Sequence, residues 1–132
     1  MNTLMISLMI NQEGVMKRVL IADDDCMIAD MFKTVVEDLG HQVIAVAHNS
    51  EEAIDQACAL HPDVAFLDIK MDYRTAGIHA SGSIKDKFPD VKVYFLTAYE
   101  KDAFYAELAH AQYDGYIDKL RFMDVVDGLL KR

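Results

Sequence analysis

The amino-acid sequence predicts an α/β protein in which five βα units are arranged around a parallel β-sheet. From Met16 onward, short apolar segments with strand character alternate with segments of helical periodicity, which is typical of this fold class. Three of the predicted strands are nearly continuous apolar runs, as expected when helices cover both faces of a sheet. The chain has 132 residues, 52% of them hydrophobic, and this is enough to fill one core. We therefore expect a single domain.

The strands are predicted at the apolar runs, and the helices at segments with a period near 3.6 residues. The predicted strands are residues 19–22, 42–47, 64–67, 91–96 and 115–118. Helices are predicted at residues 26–39, 78–88, 101–111 and 123–130, with a further helix that begins at Asn49 and ends before Pro62.

Local signals support these helices. The first helix has Gly40 at the position of a C-terminal cap and carries an apolar stripe. The stripe consists of Met27, Ile28, Met31, Phe32, Val35, Val36 and Leu39. Asn49, with Glu52 three residues later, forms a variant of the capping box. Gly82 lowers the helical propensity of the third helix by about 1 kcal/mol, so we expect that helix to be the least stable element.

The charge balance limits the classes of partner. The chain has 22 acidic residues and 13 Lys plus Arg, for a formal charge of −9. Such a chain argues against direct binding of nucleic acid, because phosphate neutralisation requires clustered Lys and Arg. Cys26 and Cys58 show no C-x-x-C spacing, so the sequence indicates neither a disulfide framework nor a zinc site, and a reducing compartment fits best.

The sequence predicts an N-terminal extension followed by one domain. Residues 1–15 contain an apolar run but lack the charged region and cleavage site of a signal peptide, and we interpret them as a poorly ordered N-terminal extension. Residues 16–132 form the predicted domain, and we expect no output domain after the last helix. Since no segment reaches the about 20 apolar residues that cross a membrane, we expect a cytoplasmic protein.

Polar side chains follow four of the five predicted strands. The first strand is followed by Asp23, Asp24 and Asp25, the third by Asp68 and the fourth by Thr97, and the fifth ends at Asp118 and is followed by Lys119. In an open parallel sheet these positions share one edge, where functional groups lie. If the first and third strands are neighbours, Asp23 and Asp24 come close to Asp68.

This combination of residue types indicates phosphoryl chemistry. Three adjacent carboxylates repel one another unless a cation lies among them, and oxygen donors without His or Cys favour Mg²⁺. A carboxylate whose charge is partly neutralised can attack a phosphoryl group and form an aspartyl phosphate. The ammonium group of Lys119 and the hydroxyl of Thr97 would then stabilise the phosphoryl oxygens.

Each of these residues also has a simpler interpretation. Asp25 fits the N-cap of the first helix better than a metal ligand. A threonine at the end of a strand is common because of its β-propensity, and a lysine by itself is most often a surface residue. The coincidence of complementary groups at one sheet edge favours a site.

Four motifs, taken in order, resemble the receiver domain of bacterial two-component response regulators. They are VLIADDD at residues 19–25, PDVAFLDIKM at 62–71, FLTA at 95–98 and GYIDK at 115–119. The resemblance covers residues 17–131. It implies a flavodoxin-like fold, a three-layer sandwich whose five-stranded parallel sheet has the order 2-1-3-4-5.

The resemblance also implies a phosphorelay function. Asp68 would accept a phosphoryl group from a histidine kinase or a histidine phosphotransfer protein, and Thr97 and Lys119 would contact that group. The implied ligands of Mg²⁺ are Asp23, Asp24, Asp68 and the backbone carbonyl of Lys70. Tyr116 falls where the family carries an aromatic switch residue, and a plainly packed tyrosine is the alternative.

Two positions depart from the family pattern. Asp72 and Leu120 stand where receivers usually carry proline. A cis bond before a non-proline residue costs about 2.5–4 kcal/mol, so the Lys119–Leu120 peptide is either trans or strained. The loop after Asp68 is one residue longer than in common receivers, and residues 73–75 can alter access to the site.

Receivers usually signal through the face formed by the fourth helix, fifth strand and fifth helix. Here this region is rich in large apolar side chains, which are enriched at interfaces, although we expect most of them in the core or at its flank. They are Tyr99, Phe104, Tyr105, Leu108, Tyr113 and Phe122. We predict that phosphorylation alters homodimerisation or partner binding through this face.

Several functions stay open from the sequence. A stand-alone receiver, which catalyses only its own phosphorylation and dephosphorylation, and a receiver fragment of a longer transcription regulator or hybrid kinase are both compatible with the motifs. A phosphatase of the haloacid-dehalogenase type would need a cap insertion that the sequence lacks. The intact acidic cluster disfavours a pseudo-receiver that only binds partners, and the missing Ser/Thr/Gly-rich phosphate loop excludes a flavin-binding flavodoxin.

Overall fold

The computed structural model describes residues 15–98 and 101–132, and the strands in these ranges form one parallel sheet. The strands are β1 (Arg18–Ala22), β2 (Gln42–Ala47), β3 (Val64–Asp68), β4 (Lys92–Thr97) and β5 (Gly115–Asp118). Their order is β2-β1-β3-β4-β5, which confirms the predicted flavodoxin-like order 2-1-3-4-5. Apart from Val15, the predicted extension at residues 1–15 lies outside the described residues.

Helices cover both faces of this sheet and complete a three-layer sandwich. They are α1 (Cys26–Asp38), α2 (Ser50–Leu60), α3 (Ala76–Lys87), α4 (Tyr105–Leu108) and α5 (Phe122–Leu130), with 3₁₀ turns at Lys101–Phe104 and Lys119–Arg121. α1 and α5 pack on one face, where β1 contributes Val19 and Ile21. α2, α3 and α4 pack on the other, where β1 contributes Leu20 and Ala22. Within the described part of the chain, no helix combines the length and the apolar character that crossing a bilayer requires.

The apolar stripe predicted for α1 was too wide. Phe32 and Val36 are buried as predicted, but Ala29, which the stripe omitted, is buried with them. Met27 is 83% exposed and Met31 is 50% exposed. A helix packed on a sheet buries only one side of its surface, so seven apolar positions could not all face inward.

The caps of α1 and α2 follow the sequence signals. Gly40, just after α1, has φ +92°, a left-handed conformation that glycine adopts without the steric cost of a Cβ atom. At the start of α2, the Asn49 side chain accepts a hydrogen bond from the amide of Glu52 at 2.8 Å. The Glu52 carboxylate in turn accepts from the amide of His48 at 2.8 Å, one residue before the cap.

The fourth helix is shorter than the predicted range of 101–111. A 3₁₀ turn at Lys101–Phe104 leads into a single α-turn, and the chain after Leu108 leaves the helix. There the amides of His110 and Ala111 donate to the carbonyls of Glu107 and Leu108, at 3.3 Å and 3.2 Å. These i→i+3 bonds tighten the end of a helix, and a segment this short gains little from helix propagation.

The third helix begins earlier than predicted and lies directly on the end of β3. The amide of Gly77 donates to the carbonyl of Ile69 at 2.8 Å. A Cβ atom at Gly77 would lie 2.1 Å from the carbonyl oxygen of Asp68. Only a glycine fits at this contact. Because residue 77 has no Cβ atom, α3 can approach β3 closely enough to fix the position of Asp68.

Candidate functional site

Asp23, Asp24 and Asp68 meet at the carboxyl edge of the sheet. Asp23 follows β1 and Asp68 ends β3, and these neighbouring strands pair Ala22 with Leu67. One carboxylate oxygen of each acid lies within 4.8 Å of the other two. Asp23 is fully buried, Asp68 is 7% exposed and Asp24 is exposed. The strand order therefore brings together the acids that the sequence places after two different strands.

Local hydrogen bonds give the neighbouring Asp25 a different role. Its carboxylate accepts from the amides of Met27 at 3.0 Å and Ile28 at 3.2 Å, which makes it the N-cap of α1. The amide of Asp25 donates to Asp23 Oδ1 at 2.9 Å and holds that side chain in place. The interpretation of Asp25 as a helix cap is confirmed.

Lys119 brings a positive charge to the acids. Its Nζ lies 2.9 Å from Asp23 Oδ2 and 3.1 Å from Asp68 Oδ2, and its side chain is 17% exposed. Lys119 follows β5, which is separated from β3 by β4, so its side chain crosses the end of one strand to reach Asp68.

The missing proline after Lys119 does not displace the lysine. All described peptide bonds are trans, including the bond between Lys119 and Leu120. The carboxylate of Asp118 accepts from the amide of Leu120 at 2.9 Å and starts the 3₁₀ turn Lys119–Arg121. This turn, rather than a cis peptide bond, directs the lysine toward the acids.

The surroundings of Asp68 disfavour its charged form. Burial raises the pKa of Asp68 most strongly, Lys119 opposes this, and Asp23 and Asp24 add repulsion, with a resulting pKa of about 7. Burial alone would lower the pKa of Lys119, but its close ion pairs with Asp23 and Asp68 outweigh this effect, and the pKa is raised. Lys119 thus stays protonated while Asp68 lies near the midpoint of its titration at neutral pH.

The donor set fits a hard divalent cation. Asp23 Oδ2 is buried and, although Lys119 is close, it has no aligned hydrogen-bond donor among the described residues. Burial removes the water molecules that would otherwise hydrogen-bond to this oxygen, and no aligned protein donor takes their place among the described residues. Coordination to a metal ion would compensate for this loss. Three carboxylates with no His or Cys in the group match the ligands of Mg²⁺.

A pocket of about 190 Å³ opens beside these acids. Its lining includes Asp24, Asp68, Lys70, Thr97, Phe104 and Lys119. Thr97 ends β4 and is 5% exposed, and its hydroxyl donates a long hydrogen bond of 3.4 Å to the carbonyl of Ile117. A hydroxyl held this weakly can turn to a new acceptor in the pocket.

Tyr116 lies apart from this pocket. It is 45% exposed and lines a separate groove together with Val125 and Leu129 of α5. Its side chain belongs to the surface of β5 in this structure.

Three residues near the site were not predicted as site residues from the sequence. Phe104, expected in the core or at the flank of the output face, is 2% exposed and lines the pocket. Asp72 accepts hydrogen bonds from the amide of Ser50 at 2.8 Å and its hydroxyl at 2.9 Å. The guanidinium carbon of Arg74 lies 4.6 Å from the centre of the Phe104 ring. For Asp72 and Arg74 the sequence offered a clue to a role near the site, because both lie in the loop that departs from the family pattern. It offered no such clue for Phe104.

Comparison with known proteins identifies similar sequences. Residues 19–126 match the response regulator receiver domain. The response regulator GacA of Pseudomonas viridiflava is 34% identical over 105 residues, which are 79% of this chain and 49% of that protein. The transcriptional regulatory protein LnrK of Bacillus subtilis is 31% identical over 114 residues, which are 84% of this chain and 50% of that protein. The chain thus spans about half the length of these curated relatives.

Solved structures show the same arrangement. The response regulator domain of CheB from Thermotoga maritima superposes with a TM-score of 0.73 at 27% identity, covering 87% of this chain and 91% of that one. The anti-anti-sigma factor PhyR from Bartonella quintana gives a TM-score of 0.77 at 26% identity, covering 98% of this chain and 51% of that one.

Proposed function

This chain belongs to the response regulator receiver domain family, and from that premise we propose that it is a phosphoacceptor in a two-component phosphorelay. Asp68 is the acceptor, and a histidine kinase or a histidine phosphotransfer protein is the donor. The observation that carries this proposal is the contact of 3.1 Å between the buried Asp68 carboxylate and Lys119, next to Asp23 and Asp24.

The transfer step follows from the chemistry of a carboxylate nucleophile. An oxygen of Asp68 donates an electron pair to the phosphorus of a phosphohistidine, a P–O bond forms and the P–N bond breaks. The histidine nitrogen leaves with the bonding pair. The ammonium group of Lys119 and the hydroxyl of Thr97 donate hydrogen bonds to the transferring oxygens, whose charge they stabilise.

The acids beside Asp68 support a Mg²⁺ requirement. Asp23, Asp24, Asp68 and the backbone carbonyl of Lys70 would hold the ion. When bound, Mg²⁺ supplies positive charge that keeps Asp68 ionised and offsets the charge on the phosphoryl oxygens. This matters because the pKa of Asp68 is about 7. Without a bound metal ion, much of the nucleophile is therefore protonated at neutral pH.

The phosphorylated domain signals through the face of α4, β5 and α5. Phe104, Leu108 and Phe122 are buried in the core, whereas Tyr105 is 79% exposed and Tyr116 is 45% exposed. Tyr99 lies outside the described residues. Exposed aromatic side chains are enriched at interfaces, which supports a change of homodimerisation or partner binding here, with Tyr116 as the switch residue. The domain catalyses only its own phosphorylation and dephosphorylation.

Two alternatives have specific support. The coverage of about half of GacA and LnrK favours a receiver that forms part of a longer transcription regulator. The description of PhyR as an anti-anti-sigma factor favours a domain that acts by binding a protein partner, and a partner-binding pseudo-receiver would need no phosphoryl group.

Intact-mass measurement tests the phosphoacceptor function. The wild-type protein and Asp68→Asn are incubated with acetyl phosphate, with Mg²⁺ or with a chelator. We expect one phosphoryl adduct that requires Mg²⁺ and is absent in Asp68→Asn. Asp55→Asn, at an exposed position of α2, is the matched control and should retain the adduct. A wild-type protein that gains no phosphoryl group under these conditions would support the pseudo-receiver instead.

A further inference from the structure

Arg74, in the loop after Asp68, makes three contacts with one short segment. Its Nη1 lies 2.5 Å from Glu107 Oε1, and its Nη2 donates to the carbonyl of Ala103 at 2.6 Å. The guanidinium carbon lies 4.6 Å from the centre of the Phe104 ring. The guanidinium therefore hydrogen-bonds to this segment and also lies over its aromatic ring.

The segment that Arg74 holds has little helical order of its own. It consists of the 3₁₀ turn Lys101–Phe104 and the single turn of α4, and none of the described side chains caps the start of α4. Short helices without caps gain little stability from their own backbone bonds. Contacts from outside the segment, such as those of Arg74, must therefore contribute to its position.

The ring under the guanidinium is also a wall of the phosphoacceptor pocket. Phe104 is 2% exposed, and it lines that pocket together with Asp68, Thr97 and Lys119. An apolar wall at this place excludes water from the carboxylate and from any group attached to it. A ring at this position can therefore limit how easily water reaches Asp68.

We propose that Arg74 is a positioning residue that holds Phe104 against the pocket and thereby slows loss of the phosphoryl group from Asp68. The inference rests on the proposed function. In the loss step a water oxygen bonds to phosphorus, the P–O bond to Asp68 breaks with its electron pair returning to the carboxylate, and the water proton passes to phosphate or solvent. Release of Phe104 admits the water that this step needs.

The opposite side of the same loop is anchored independently. The Asp72 carboxylate accepts hydrogen bonds from the amide and the hydroxyl of Ser50 at the start of α2. Removing the Arg74 side chain, which is 53% exposed, therefore leaves the loop attached to α2, and the variants should fold.

The first experiment measures the lifetime of the phosphoryl group. Wild type, Arg74→Ala and Arg74→Lys are loaded with acetyl phosphate and Mg²⁺, the donor is removed and the adduct is followed by intact mass. We expect loss about fivefold faster in Arg74→Ala, in line with the small energy of exposed ion pairs and ring contacts, and an intermediate rate in Arg74→Lys, which keeps the charge but not the fork. Lys131→Ala removes the remote exposed pair with Asp127 and should match wild type.

A second experiment needs no phosphoryl group. Hydrogen–deuterium exchange at residues 103–108 should be faster in Arg74→Ala than in wild type and in Lys131→Ala. Unchanged exchange in Arg74→Ala would overturn the proposal. Faster exchange in this variant with an unchanged rate of phosphoryl loss would also overturn it, because Phe104 would then not control hydrolysis. A wild-type protein that takes up no phosphoryl group would overturn the proposed function, and exchange alone would then decide whether Arg74 holds Phe104.

Discussion

The ammonium nitrogen of Lys119 lies 3.1 Å from the Asp68 carboxylate, although the two residues belong to strands that are not neighbours. The same nitrogen lies 2.9 Å from Asp23. A single lysine thus balances part of the charge of two buried acids. Because Lys119 lowers the pKa of Asp68 while burial and the other acids raise it, the chemistry at this edge depends on the lysine.

Removing the charge of Lys119 should raise the pKa of Asp68 further. In Lys119→Met, burial and the repulsion from Asp23 act without the opposing ammonium group, so the midpoint should exceed the wild-type value of about 7. The measurement is a pH titration of the Asp68 carboxyl carbon by NMR, with a chelator present. Lys87→Met, at an exposed position of α3, should leave the midpoint in place. A midpoint in Lys119→Met at or below that of wild type would contradict the assigned electrostatics.

The raised pKa of Asp68 predicts how stability changes with pH in the metal-free protein. The folded-state pKa of about 7 lies above the ordinary value of 3.8, so the folded state binds a proton that the unfolded state releases. The stability that this provides is fully present below pH 3.8 and is lost as the pH rises through about 7. Between pH 6 and pH 8 we expect the free energy of unfolding to fall by about 1 kcal/mol from this group.

Urea unfolding at pH 6 and pH 8 checks this dependence. With a chelator present, wild type should lose stability over this interval relative to Asp68→Asn, which has no proton to lose. Saturating Mg²⁺ should raise the stability and reduce the pH dependence, since a cation favours the ionised carboxylate. Equal slopes for wild type and Asp68→Asn in the absence of metal would show that Asp68 does not titrate here.

Two glycines of α3 should respond to alanine in opposite directions. In Gly77→Ala the new Cβ would lie 2.1 Å from the Asp68 carbonyl oxygen, and we expect destabilisation of about 2 kcal/mol or more and a displaced end of β3. In Gly82→Ala the Cβ meets no atom within 4 Å, and higher helical propensity should stabilise the protein by about 1 kcal/mol. Thermal unfolding of both variants measures these changes, and destabilisation by Gly82→Ala would refute the second.

The carboxylate of Asp72 should stabilise the start of α2. Asp72→Ala removes both hydrogen bonds from Ser50, and we expect a loss of about 1–2 kcal/mol, similar to the loss of a helix cap. Ser50→Ala removes the hydroxyl but keeps the amide bond, so its effect should be smaller. Denaturant midpoints of the two variants and the double variant test this order. A double variant whose loss equals the sum of the single losses would show that the two side chains do not act together.

The sequence by itself determined the fold class and much of the site. The alternation of apolar and helical segments predicted the five strands within one residue at each end, and the spacing of Asp23, Asp24 and Asp68 after their strands predicted the acidic group. Asp25 and Asn49 were predicted as caps because capping depends on residues within one turn. Local patterns such as these are readable because the interacting groups are close in the chain.

The tertiary structure decided the properties that depend on distant contacts. The exposure of Met27 and Met31 depends on how α1 lies on the sheet, and the length of α4 depends on bonds that its own periodicity does not reveal. The bond from Ser50 to Asp72 and the contact of Arg74 with Phe104 join residues 22 and about 30 positions apart. Residues that far apart meet only because the strand order folds them to one edge, and no periodic signal encodes that order.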